Sequence, residues 1–213
     1  MVARLDPNAR ALLHEGLVIP AHPLALDARG VFEQPRQEAL TRYYLDAGAG
    51  GLAVGVHTTQ FAVHQESVGL YELVLRCAAE TTRSWTDRRV VLVAGIVGPT
   101  EQAVAEAEVA GSLGYDLGLL GITGAADATE EQLIDRARAV GEVLPVFGFY
   151  LQPAVGGVAT ARSSGGVSPI SKPWPRSRLL PSTVTARSTS SAQSAPRNAV
   201  TRLRSTPAMT TAS

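Results

Sequence analysis

The chain has 213 residues, and its 19 lysines and arginines balance its 19 acids. That length gives one sizeable domain or two small ones, and a formal net charge of zero excludes a chain that binds polyanions over its whole length. The lone cysteine, Cys77, excludes an internal disulfide framework and a Cys-based zinc site, and no apolar run is long enough to cross a bilayer nor does the start of the chain carry a secretory pattern, so a soluble cytoplasmic protein with no membrane partner is expected.

Short apolar runs alternate with helical patterns up to about residue 157. Leu17 to Pro20 is a short strand candidate. Gln34 to Ala47 has helical spacing, with Leu40, Tyr43 and Tyr44 on one face and Gly48 after its end. Leu52 to Val56 is a buried strand. Val68 to Ala79 is a helix whose apolar face includes Leu70, Leu73, Val74 and Cys77. Arg89 to Gly95 is the next strand. Thr100 is expected to cap the helix after it, with Glu101 near the positive end and an Ala-rich run through Val109. Leu117 to Leu120 is a strand, and Thr129 with Glu130, Glu131 and Gln132 opens a helix to about Val140. Val143 to Tyr150 is the fifth strand. Nearly continuous apolar strands separated by helices imply parallel pairing with both faces buried. Two architectures fit, an open doubly wound sheet or part of a (β/α)8 barrel, and no Gly-rich dinucleotide loop follows the first strand. In a barrel the chemistry sits where strands end. The places to inspect are therefore Ala21 to Pro23, His57 to Gln60, Gly95 to Pro99, Gly121 to Thr123 and Tyr150 to Pro153.

The remainder is a different kind of sequence. All 19 acids lie at or before Glu142, whereas eight bases run from Arg162 to Arg204. From Val158 onward Ser, Thr, Arg, Pro and Ala dominate, Trp174 is the only aromatic, and no period survives. Two readings are open. The tail is a disordered basic extension, or it is translated out of frame, since out-of-frame GC-rich DNA gives this texture. Moving the frame back by one base lets Gly165 to Arg178 be read as WRRFADIEAVAAIK, Ser182 to Ser191, with the base pair from Ala192, as FNRYRTIDVVR, and Arg204 to Thr210 as LYTGNDD. These strings restore acids, helical pattern and an apolar strand ending in lysine. The expected division is a partial barrel catalytic domain over 1–157 and a Ser/Thr/Pro/Arg-rich tail over 158–213.

Two of the strand ends carry a resemblance. Ala53-Val54-Gly55-Val56-His57-Thr58-Thr59 is similar to the second strand and Gly-Thr-Thr-Gly-Glu turn of the dihydrodipicolinate synthase/N-acetylneuraminate lyase family. Pro145 to Pro153 resembles that family's fifth strand, which ends in Tyr-Asn-x-Pro, and Val93 to Thr100 fits its third strand and the helix start beyond it. The resemblance spans roughly residues 15 to 157 in the family's order. It implies a (β/α)8 TIM-type barrel, present here as about the first five β/α units, that handles 2-oxo acids through a lysine Schiff base, the protonated imine serving as an electron sink. It also implies a small-molecule 2-oxo acid partner, a homo-oligomeric intact protein, and neither cofactor nor metal. Carried over by position, Thr58 and Thr59 bind the substrate carboxylate, and Thr58 and Tyr150 relay a proton.

The departures are specific. His57 and Gln60 stand where the family has glycines, Phe61 stands for its Glu, the Pro-Tyr-Tyr after the fourth strand has no counterpart, and the Arg beyond the Tyr turn is missing. The chain's one lysine, Lys172, lies between Ser171 and Pro173 in no strand pattern, so no Schiff-base lysine is expected in the barrel and this chain is expected to be inactive. Residue by residue, blander roles compete. A Thr pair at a strand end caps a turn, a Tyr there packs, His57 and His64 pack or cap rather than bind metal, His22 lines the pocket mouth or belongs to a turn, and Asp116 and Glu142 are solvated. At the level of the whole chain, the alternative is a small non-enzymatic α/β binding protein with a disordered basic tail. Binding of nucleic acid by that tail is not expected, because its bases are spread among Ser and Pro.

Overall fold

The computed structural model describes residues 3–122, 124–125 and 128–149. Tyr150 and the whole tail, including Lys172, lie outside the described residues. Four parallel strands, β1 (Gly51–Val54), β2 (Val91–Ile96), β3 (Leu117–Leu120) and β4 (Val146–Gly148), form one sheet in sequence order. Helices connect them: α3 (Tyr71–Trp85) after β1, α4 (Thr100–Ser112) after β2 and α5 (Glu130–Val143) after β3, with α1 (Pro7–Glu15) and α2 (Gln34–Asp46) ahead of β1. This is the repeating β/α order of a barrel, with each strand hydrogen-bonded to the next in the chain.

The expected first strand is reduced. Val18 and Pro20 accept backbone hydrogen bonds from Gly50, Gly51 and Ala53, and His22 donates to Ala53, but only Ala21 forms a bridge, parallel to Ala53. The segment therefore covers the outer edge of β1 without being a strand of its own. β1 to β4 correspond to the second to fifth strands anticipated from the sequence.

Alternation along each strand builds two cores. Leu52, Val54, Leu92, Ala94, Ile96, Leu120 and Val146 pack with Val74, Leu75, Ala78, Ala103, Ala107 and Val140 of the helices. The opposite face, through Ala53, Val91, Val93, Leu117 and Phe147, packs on Leu5 and Ala9. Burial on both faces explains why these strands are apolar without interruption.

The helix α1 was not anticipated. It has a strong local signal: Asp6 Oδ1 accepts from the backbone N–H groups of Asn8 and Ala9, both at 3.0 Å, and Pro7 occupies the first turn. Ala3 N–H donates to Gly141 O, and Arg89 pairs with both Asp6 and Asp116. Arg89, Asp116 and Gly141 all precede strands, so α1 closes the sheet at the strands' N-terminal ends.

Several local expectations need correction. Pro99, not Thr100, is the N-cap of α4; Thr100 is its first residue and makes no capping bond. Tyr43 of α2 and Leu73 of α3 are exposed, and the face that α2 buries holds Gln37, Thr41 and Leu45. Asp116 is not solvated: its carboxylate accepts from Leu92 N–H at 3.0 Å and pairs with Arg89. Thr129 does cap α5, in a reciprocal capping box with Gln132.

Candidate functional site

The C-terminal ends of β1, β2 and β3 each carry a glycine at or just beyond the strand: Gly55, Gly95 and Gly121. These three line a shallow, open cleft together with His57, Phe61, Val97 and Phe149. The approach of the strands here is close. A Cβ on Gly95 would lie 2.1 Å from Gly55 O, so only glycine fits between the ends of β1 and β2. Beyond β1 the chain makes two short 3₁₀ turns, His57–Thr59 and Phe61–His64. Gln60 joins them with φ of 78°, the only positive φ of a non-glycine among the described residues. It keeps the backbone that a glycine would adopt there freely.

The Thr pair divides in two. Thr59 is buried, and its hydroxyl donates to His22 O at 2.6 Å while accepting from Gly55 N–H at 3.0 Å. It thus ties the residue after the edge bridge to the end of β1. Thr58 is exposed beside the cleft-lining His57. His57 packs edge-to-face on Phe61, ring centroids 5.5 Å apart. Whether Tyr150 meets the Thr pair falls outside the described residues.

His22 is buried rather than at the pocket mouth or in an exposed turn. Gln37 Nε2 donates to His22 Nδ1 at 2.7 Å and to Pro23 O at 3.0 Å, while its Oε1 accepts from Ala25 N–H. Thr41 donates its own proton to Gln37 O, so its oxygen accepts from His22 Nε2–H at 2.9 Å. These roles require the Nε2–H tautomer. Burial holds the imidazole below its ordinary pKa of about 6.5, opposed by the Pro23 carbonyl.

Behind the cleft lies a set of buried polar side chains that sequence reasoning missed. Each of the three strand-end glycines has its carbonyl held by one of them. His64 Nε2 donates to Gly55 O at 2.6 Å, Tyr71 Oη donates to Gly95 O at 2.9 Å, and Arg136 Nη1 donates to Gly121 O at 2.9 Å. Arg136 Nε also donates to Gly98 O, joining the loops after β2 and β3. Glu106 sits among them. Its Oε1 meets His64 Nδ1 at 3.0 Å and accepts from Gln102 Nε2 at 2.8 Å, and its Oε2 accepts from Val97 N–H at 3.0 Å. His64 Nε2–H is committed to a carbonyl, so the contact between His64 Nδ1 and Glu106 Oε1 is bridged by one further proton. Burial and the Glu106 charge push the Tyr71 phenol well above its ordinary value, so it remains a donor. Burial pulls the Arg136 guanidinium down, with Glu106 opposing.

The signal for Glu106 was present in the sequence. It falls three residues after Ala103 and four before Ala110, both wholly buried, so it is an acid on the inward face of an Ala-rich helix. Arg136 likewise stands four residues before the buried Val140. Among the described residues no group of three or more His, Cys, Asp or Glu is placed to hold a metal ion, and no helix is long and apolar enough to cross a membrane.

No family model and no curated protein matches the chain. Solved structures do. A prophage protein of E. coli K12 belonging to the dihydrodipicolinic acid synthase family, solved in complex with pyruvate, matches with a TM-score of 0.57 and 23% identity over 65% of this chain and 45% of its own. Dihydrodipicolinate synthase from Bacillus clausii matches with a TM-score of 0.57 and 19% identity, over 69% of this chain and 48% of its own. N-acetylneuraminate lyase from Fusobacterium nucleatum matches with a TM-score of 0.50 and 16% identity, over 62% and 46%. The chain spans less than half the length of these structures. Over that span its parallel sheet and alternating helices have the barrel fold of the dihydrodipicolinate synthases and N-acetylneuraminate lyases.

Proposed function

We propose that the described part of this chain is the portion, from the first strand to the fifth, of a lyase of the aldolase type that acts on a 2-oxo acid through a lysine Schiff base. The observation that carries the reading is the cleft at the C-terminal ends of three adjacent parallel strands, braced from behind and closed at the opposite end by α1. In a barrel, that end is where substrates are handled. The exposed Thr58 supplies a hydroxyl beside the cleft for a carboxylate, and Tyr150, two residues beyond β4, is the proton-transfer residue of the proposal. Thr59 contributes by fixing the end of β1, its hydroxyl being engaged on both sides. The family likeness of the solved structures supports the substrate class, one of them being a pyruvate complex.

The nucleophile is not among the residues of β1 to β4, and the chain's one lysine is Lys172. We therefore propose that the tail from about residue 158 is read out of frame and that this form is inactive. Imine formation needs an amine held in a desolvated barrel, where its pKa falls far enough to attack a carbonyl. With pyruvate and borohydride, this chain is expected to give no covalent adduct at a barrel site. A gene with one base restored near Gly157 is expected to give an adduct at the lysine whose codon straddles Ser177 and Arg178, lost when that lysine is replaced by Ala. Efficient trapping of the unrestored chain at Lys172 overturns the out-of-frame reading, and no trapping of either form overturns the Schiff-base reading.

A further inference from the structure

We infer that the cleft takes a 2-oxo acid whose far end is apolar, an aryl or branched alkyl group, rather than a hydroxylated or charged one. The inference rests on the 2-oxo-acid reading above. Five of the residues lining the cleft with side chains larger than alanine's, Val56, Phe61, Val97, Leu119 and Phe149, offer hydrocarbon only. The remaining walls are the three glycine backbones, whose carbonyls are already taken by His64, Tyr71 and Arg136 on the far side. Those three donor atoms are thereby spent, and Arg136, whose Nη2 is buried without a partner among the described residues, does not line the cleft.

One lining residue departs from this pattern. His57 is exposed, and its ring nitrogens make no hydrogen bond among the described residues, where its ring meets only Phe61. It adjoins Thr58, so the single polar patch of the cleft lies at the end of β1, where a carboxylate would be received. A ligand with one anionic end and one apolar end matches this division. Ligand recognition by a mostly apolar wall and few convergent polar groups is the general pattern of small-molecule sites. Burying a hydroxyl or charge against such a wall without a partner is unfavourable, whereas apolar area gains from it.

The test is calorimetric titration of the full chain with pyruvate, 2-oxo-4-phenylbutanoate and 2-oxoglutarate. The phenyl acid is expected to bind at least tenfold more tightly than pyruvate, and 2-oxoglutarate no more tightly than pyruvate. Phe61→Ser is expected to remove at least fivefold of the phenyl acid's advantage while leaving pyruvate unchanged. Phe149→Ser, at an exposed position, carries the same expectation if Phe61→Ser does not fold. His57→Ala is expected to weaken both acids by the same factor. Binding of pyruvate with no gain from the phenyl group, or a preference for 2-oxoglutarate, overturns this inference and leaves the 2-oxo-acid reading standing. Failure of every acid to bind overturns this inference, while the 2-oxo-acid reading stands or falls separately on the trapping of the restored chain.

Discussion

Replacing Glu106 by Leu tests whether the buried polar brace holds the strand ends. The two side chains of the pair are 2% (His64) and 8% (Glu106) exposed, so water cannot substitute for a lost partner. Leu removes both acceptors. His64 Nδ1 and Val97 N–H are then buried polar groups with nothing to bond, and each costs ~1–3 kcal/mol. Gln102, half-buried, can turn its amide elsewhere and adds little. The sum agrees with the ~3–5 kcal/mol observed when one partner of a buried ion pair is removed, a large share of the ~5–15 kcal/mol of a typical domain. Glu106→Gln keeps an acceptor for Val97 and lets a neutral His64 accept from the new amide, so about 1 kcal/mol is expected. Combining Glu106→Leu with His64→Phe removes the orphaned imidazole, and the double variant should recover at least ~1 kcal/mol relative to the sum of the single changes. Urea unfolding followed by far-UV circular dichroism measures the parent, the three single variants (Glu106→Leu, Glu106→Gln and His64→Phe) and the double variant, with midpoints compared at constant m. A Glu106→Leu protein within ~0.5 kcal/mol of the parent at equal m would refute the reasoning.

Two further outcomes follow from geometry already described. Gly95→Ala puts a Cβ 2.1 Å from Gly55 O and is expected to cost about 3 kcal/mol or more, whereas Gly148→Ala, with nothing within 4 Å, is expected to be near neutral; thermal melts of the two compare them directly. Protonating His22 is disfavoured in the folded chain, so the unfolded state binds the proton first. The stability that its neutral form supplies is intact above pH 6.5 and is lost as pH falls below that value, and His22→Gln should flatten the slope of urea midpoint against pH between 6.5 and 5.

The strands were legible because burial on both faces leaves a run of apolar residues that nothing else in the chain imitates. Leu117–Leu120 is found at its predicted bounds, and β2 differs from expectation only by its ends. Helix faces were less legible. In α2 the inward positions are Gln37 and Thr41, which serve His22 across the interior, so a search for apolar spacing settled on Tyr43 instead. The same cause hid Glu106 and Arg136. Periodicity reports where hydrocarbon is buried, and a buried polar group whose partners come from distant loops leaves no local period. The Thr pair was found by its motif, but which of the two hydroxyls is committed to the backbone depends on His22 O, 37 positions earlier in the chain. The Asp6-Pro7 start of α1 was readable in principle, the cap and the proline both being local.

The strand order has a consequence for how such a chain is made. Because β1 to β4 adjoin one another in the order of synthesis, each β/α unit finds its docking surface already in place when it leaves the ribosome. No strand must wait for a later one to be inserted between it and its neighbour, as happens in sheets whose spatial and sequential orders differ. Assembly by accretion keeps loop closures short. It also means that at every stage a single growing edge is open on the side of the newest strand, and that a translational pause after any complete unit leaves behind a packed intermediate with one site of vulnerability.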